Sequence, residues 1–336
     1  MEIVIDFPPL MGPEVVIRRC LFPGQIPNCS VRFESARFEP ASPIGPILIT
    51  VPPEEDAYDN YGWEVQNVFP PEVAFITAMS IAWPPDYGQF SFYPAKYPLK
   101  LNLPEGMLLK NVDVMFWINS FLNTTPYNRV RTALDSARSA DSSSWDFKSS
   151  EFSEKEFTEY TNFLYAKFDL KNVVLLRGLY HMIKARMLMG HMEFMDSAAL
   201  ELYVAMAATF ELFLDELRSK GNRNPGNSDV VKRFQELYKV ELPGNQYFGD
   251  YYTDRIRCLH PVARGEAAVS PPIMVDDVFH LYPDLLRVFE YFVAGSPDEY
   301  IARYKCFWDD QSFSAKEALV RYMTLVPQAK YRGSAS

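Results

Sequence analysis

The chain has 336 residues, 48% hydrophobic and 23% charged, with a formal net charge of -10. That is the balance of an ordinary globular protein, long enough for two domains and able to build a core without staples. The acidic whole argues against a non-specific nucleic-acid coat, though not against a local basic site. Four cysteines without a CxxC pair read as reduced thiols, although Cys20 and Cys29 are spaced to close a small loop disulfide. The N-terminal MEIVIDFPPL lacks the basic and long apolar regions of a signal peptide, and no run of 18 apolar residues occurs. The expectation is a cytoplasmic protein without a membrane span.

Proline divides the chain. Seventeen of the 26 prolines lie at or before Pro104, and none lies between Pro126 and Pro225. Because proline removes a ladder donor and breaks helices, this asymmetry predicts two architectures. Short strands are predicted at Glu2–Phe7, Glu14–Cys20, Cys29–Phe38, Ile47–Val51, Val73–Trp83, Gln89–Tyr93, Leu99–Leu103 and Val112–Ser120. Cut by Pro/Gly turns, they imply a sandwich or barrel. A short helix is expected through Tyr127–Ala137. Residues 135–150 carry seven serines and read as a linker.

Beyond the linker the hydrophobic period becomes helical. Ser153 and Glu156 form a capping-box pattern before Phe157, Tyr160 and Leu164. Helices are expected from about Asn172 to Met189, from Asp196 or Ser197 through Leu217, and from Ser228 through Tyr238. Others follow near Phe248–Leu259, after Pro272 with Pro283 kinking or splitting it, after Ser296-Pro297, and at the Ser314/Glu317 capping box. The fold class is therefore α+β: an all-β sandwich or barrel-like domain at 1–134, a linker at 135–150, and an all-α helical bundle at 151–332.

Several chemistries find no motif. There is no P-loop, no GxSxG elbow and no HExxH. His181 and His191 lie among Met182, Met187, Met189, Met192 and Met195, where methionine as core filler accounts for the pattern better than a thioether metal site. No metal and no cofactor are expected.

One segment concentrates reactive groups: Tyr251-Tyr252-Thr253-Asp254-Arg255-Ile256-Arg257-Cys258-Leu259-His260-Pro261. On a continuous helix Arg255 and His260 lie about 140° apart. Pro261 disfavours the helical conformation at His260, so a helix ending there lets the imidazole swing toward the guanidinium. A structural reading is also open, with Arg255 paired to Asp250, Asp254 or Glu211 and His260 capping a helix C-terminus.

The segment resembles the signature of the HEPN superfamily, a helix of the form Tyr-x-x-Arg-x(4–6)-His. The order around it is similar too. A helix containing Ala208-Thr209-Phe210-Glu211-Leu212-Phe213-Leu214 precedes it, then a loop, the Phe234–Tyr238 helix, the motif, and an apolar helix from about Asp276. With a β-rich domain in front, the layout looks like the ApeA-like, abortive-infection branch. The resemblance covers roughly Asp196 to Ala294.

It implies a metal-independent endoribonuclease, an antiphage or toxin-like effector with a sensing or regulatory N-terminal domain. Arg255 and His260 would be catalytic, Tyr252 and Glu211 would orient them, and Arg257 and Arg264 would contact RNA or lie as solvated surface charges. It also implies a homodimer through the helical domain; no DNA or membrane partner is expected. Ile256 and Pro261 stand where the family usually has a polar residue and Gly, which suits an alternative, a non-catalytic interaction module. A third reading places binding of a carbohydrate or protein on the β-rich half through Trp63, Trp83, Tyr87, Tyr93 and Tyr97.

Overall fold

The computed structural model describes residues 12–21, 27–52, 68–83, 93–94, 98–124, 154–189, 192–237 and 275–295. Within them run β1 (Glu14–Leu21), β2 (Val31–Arg32), β3 (Ala36–Glu39), β4 (Ile47–Thr50), α1 (Pro70–Ala82), β5 (Tyr93–Pro94), β6 (Leu99–Asn102) and α2 (Val114–Thr124). The helical part follows: α3 (Glu154–Lys167), α4 (Val173–Leu188), a 3-10 turn at Met192–Phe194, α5 (Met195–Ser219), α6 (Asn227–Leu237) and α7 (Val275–Ala294). The fold is α+β, an N-terminal antiparallel sheet followed by several packed helices.

The sheet runs in the order β2-β3-β4-β1-β5, with β6 also paired to β1. Strand β1 is its centre. It pairs with β4 from Val16↔Thr50 to Arg19↔Ile47, and with β6 from Glu14↔Asn102 to Ile17↔Leu99. Alternation sends successive side chains to opposite faces. Val15 and Ile17 join Ile47, Ile49, Leu103 and the α2 residues Val114, Ile118 and Leu122 in one core. On the other face Arg18 meets Glu72 of α1. Burial on both faces explains why β3 and β4 are buried at every residue instead of alternating.

Two predicted strands are helices, which corrects the all-β expectation and replaces a sandwich or barrel by one sheet with helices on both faces. Val73–Trp83 falls in and just after α1, whose residues are buried almost all round. An apolar run of that kind has no periodicity to separate buried strand from buried helix. The deciding signal is Pro70-Pro71-Glu72: prolines at the first helical positions and a glutamate at the third, whose Oε2 accepts the Phe69 N–H at 2.8 Å. Val112–Ser120 likewise overlaps α2, where the buried positions Val114, Ile118 and Leu122 recur every four residues.

The helical expectations fare better. Asn172 caps α4 by accepting the Leu175 N–H at 3.0 Å. Helix α7 runs continuously through Pro283, so the expected split there does not occur. Gly178 lets α4 approach α5 and α7: a Cβ there would lie 2.5 Å from Phe289 Cζ and 2.8 Å from Ala208 Cβ. Helix α5 is long and apolar enough to cross a membrane, with 56% of its apolar window buried inside the protein.

Met1–Ala294 form one compact unit. Helix α1 joins the two halves of the chain within it. Phe75 of α1 and Phe33 both pack edge-on against Tyr165 of α3, with centroids 5.0 and 5.1 Å away. Trp83 packs on Phe157 at 5.8 Å. The serine-rich 135–150 segment, outside the described residues, thus links parts that share a core. Outside them too are the predicted elements at Glu2–Phe7, Tyr127–Ala137, Phe248–Leu259 and beyond Ser296. Cys20 and Cys29 are both free thiols, so the loop disulfide does not form.

Candidate functional site

The residues around the expected site divide into a described frame and a segment outside it. The frame is α5, α6 and α7. Loop residues 220–226 turn the chain after α5, and the buried Val230 and Phe234 lay α6 back against it. Helix α7 packs on α5 as well, so Phe213 of α5 meets Phe234 of α6 at 6.0 Å and Phe292 of α7 at 4.8 Å. Edge-to-face contacts of this kind add to the burial energy of the rings.

A polar node joins the same three helices. Oε1 of Glu216 on α5 accepts from Arg233 of α6, at 2.7 Å from Nη2 and 3.1 Å from Nε, and from the Tyr291 hydroxyl of α7 at 2.7 Å. Lys220 donates to the same oxygen, and Arg233 Nη2 also donates to the Tyr291 oxygen at 2.9 Å. Burial alone would raise the Glu216 carboxyl. The hydrogen bonds from Lys220, Arg233 and Tyr291 outweigh it and hold the group below the usual carboxylate range. Tyr291 moves the other way: burial and the neighbouring Glu216 push its phenol up to about 12. A small polar pocket beside Arg233 is lined also by Asn222, Asp229, Lys232 and Glu236. Its two cations and two anions favour neither charge of ligand.

Of the expected site residues, Glu211 lies on this frame. It is exposed on α5, with Oε2 4.0 Å from Nη1 of Arg218, which also holds Asp215 at 2.6 Å. Tyr252, Arg255, Arg257, His260 and Arg264 lie outside the described residues, in the stretch between the end of α6 at Leu237 and the start of α7 at Val275. Of the aromatics considered for a binding face, Trp83 is 7% exposed and packed on Phe157. That removes it from any binding surface.

Two further polar clusters escaped the sequence reading. On α4, His181 Nδ1 and Lys184 Nζ bond different oxygens of Glu201 on α5, Lys184 at 2.5 Å. Burial opposes ionisation of Glu201, but the His181 and Lys184 hydrogen bonds win and hold its carboxyl low. The second is a buried pair, Tyr160 of α3 donating to Glu290 of α7. Both partners of each pair lie on helices the sequence predicts, but their meeting depends on which faces the helices turn to one another. Among the described residues no group of His, Cys, Asp and Glu could hold a metal ion. No family model, curated protein or solved structure matches the chain, so the site rests on its own residues.

Proposed function

We propose that the chain is a metal-independent endoribonuclease with a HEPN-like helical bundle, acting as a homodimer in a toxin-like or antiphage role. The observation that carries this reading is the Tyr252-x2-Arg255-x4-His260 pattern in the stretch joining α6 and α7, two helices that both dock on α5. The order of apolar helix, loop, second helix, motif and long apolar helix is the one the resemblance implies.

The chemistry needs few groups. The ribose 2′-hydroxyl attacks the adjacent phosphorus while His260 accepts its proton. The bond to the 5′ oxygen breaks, leaving a 2′,3′-cyclic phosphate and, after protonation, a 5′-hydroxyl. Imidazole suits proton transfer near neutral pH. Arg255 remains charged and offers a planar fork to the phosphate as negative charge accumulates. Tyr252 and Glu211 would orient the pair, and Arg257 and Arg264 would hold flanking phosphates.

The test is cleavage of RNA by purified protein in EDTA. His260→Ala is expected to slow it about 10²–10⁴-fold, and Arg255→Ala about 10²–10³-fold. If a second histidine from the partner subunit donates the leaving-group proton, the pH profile is bell-shaped, with values belonging to the coupled pair. Undiminished cleavage by both variants, or activity that vanishes in EDTA and returns with Mg²⁺, overturns the reading. Ile256 and Pro261 favour a second one, a non-catalytic interaction module. It expects no cleavage and no growth arrest on overexpression, and an arrest that depends on His260 eliminates it.

A further inference from the structure

Helix α4 turns one polar stripe outward. Arg177, His181 and Lys184 follow i, i+4, i+7, so at about 100° per residue they lie within about 60° of one another around the helix. Neighbours at this spacing stand about 5–6 Å apart at Cβ, within common reach of long side chains. Arg177 is exposed and takes part in no ion pair among the described residues. His181 and Lys184 are partly exposed, at 17% and 26%. Tyr180 lies beside them, its ring centroid 5.8 Å from Lys184 Nζ and 5.8 Å from the imidazole.

Glu201 organises the stripe. Reaching from α5, it takes Nδ1 of His181 on one oxygen and the Lys184 ammonium on the other. This leaves Nε2 of His181, which makes no hydrogen bond among the described residues, and the remaining Lys184 N–H donors for another acceptor. Counting Arg177 and Lys184 against Glu201, the stripe is net positive, and more so when the imidazole is protonated. That is a local reversal on a chain of net charge -10.

We propose that Arg177, His181 and Lys184 form a phosphate-binding site on α4, with Glu201 orienting two of its three donors. The ligand phosphate accepts Nε2–H of an imidazolium whose Nδ1–H is given to Glu201, together with N–H groups of Lys184 and Arg177. Donors of this chemistry suit the phosphodiester of an RNA backbone and equally a free phosphate. Tyr180 adds a ring face to the same stripe. The proposal does not depend on the Arg255/His260 chemistry.

The probes are a fluorescent 2′-O-methyl RNA oligonucleotide, which 2′-hydroxyl chemistry cannot cut, and inorganic phosphate. Failure of the cleavage reading therefore leaves this test intact. Wild-type protein is expected to bind the oligonucleotide with an affinity that falls as salt rises. Arg177→Ala and Lys184→Ala each weaken binding about fivefold, as expected for partly exposed charge contacts. Lys184→Arg keeps it. His181→Ala removes the imidazole donor and weakens binding likewise. If inorganic phosphate binds and displaces the oligonucleotide, the site accepts free phosphate; if only the oligonucleotide binds, it is a backbone site. The proposal is overturned if wild type binds neither probe, or if the alanine variants bind as wild type does while their circular dichroism and melting are unchanged.

Discussion

The sheet–α1 layer and the α5–α6–α7 trio both join their elements through an arginine–glutamate pair, under opposite conditions. In the first, Arg18 Nε and Nη2 meet the two oxygens of Glu72 at 2.6 and 2.8 Å, and both side chains are 0% exposed. Burial pushes the Glu72 carboxyl up against the pull of Arg18 and the Phe69 N–H. In the second, Arg233 and Glu216 are 19% and 15% exposed and share their bonds with Lys220 and Tyr291. A dry pair is costly to break because removing one partner leaves the other's charge buried and uncompensated. A wet network spreads its bonds and can be trimmed. The sheet layer is therefore rigidly specified, whereas the helices keep ionisable groups at the water boundary, where chemistry can use them.

The largest expected effect breaks the dry pair. Arg18→Met leaves Glu72 buried and uncompensated, and should lower unfolding stability by about 3–5 kcal/mol in urea titrations. Arg18→Met with Glu72→Met should cost less than the single change, since no charge is left buried. A remaining loss of about 1 kcal/mol is expected from the Phe69 N–H that Glu72 accepts. A double variant as damaged as the single one would mean that the two sites contribute through packing and not through charge.

The next effect concerns a half-buried carboxyl in the helical region. Burial pushes Asp284 of α7 from 3.8 up to about 6, against the opposing pull of Arg287. Between those values the native state holds a proton that the unfolded chain has released. The stability carried by the protonated form is thus present below about pH 4 and is lost as pH rises through about 6. Asp284→Asn should remove that slope and gain roughly 2–3 kcal/mol at neutral pH, read from urea titrations on either side of the window. An unchanged slope in the variant would place the pH dependence elsewhere.

The smallest expected effect trims the wet network. Tyr291→Phe removes one donor to Glu216 while Arg233 and Lys220 remain, so a loss of about 1 kcal/mol is expected. The Glu216 carboxyl should move up toward its ordinary value, measurable by NMR titration. A loss as large as that at Arg18 would erase the contrast between the two regions.

Much of this architecture is legible from local patterns. Strands β1, β4 and β6 and helices α3 to α7 lie where alternation, helical periodicity, Asn172 and the Ser153/Glu156 pattern place them. The errors fall where local pattern is silent or was misread. At Val73–Trp83 burial on every side erases the periodicity, and only Pro70-Pro71-Glu72 marks a helix start. In α2 the four-residue recurrence of Val114, Ile118 and Leu122 outranks the β-propensity of its aromatic and branched residues. Of the candidate site, the sequence supplies the Arg255 and His260 pattern and the helices on either side of it.

By itself, then, the sequence determined most boundaries of the described strands and helices, because these depend on neighbours within a turn or two of chain. Tertiary structure decided that helices cover both faces of the sheet, that Arg18 meets Glu72, and that Glu201 lies across from His181 and Lys184. It also decided that Glu216 collects Arg233 and Tyr291. The partners in these contacts stand 17 to 75 residues apart. Periodicity says which face of a helix is buried, but the packing of one face against another chooses its partner.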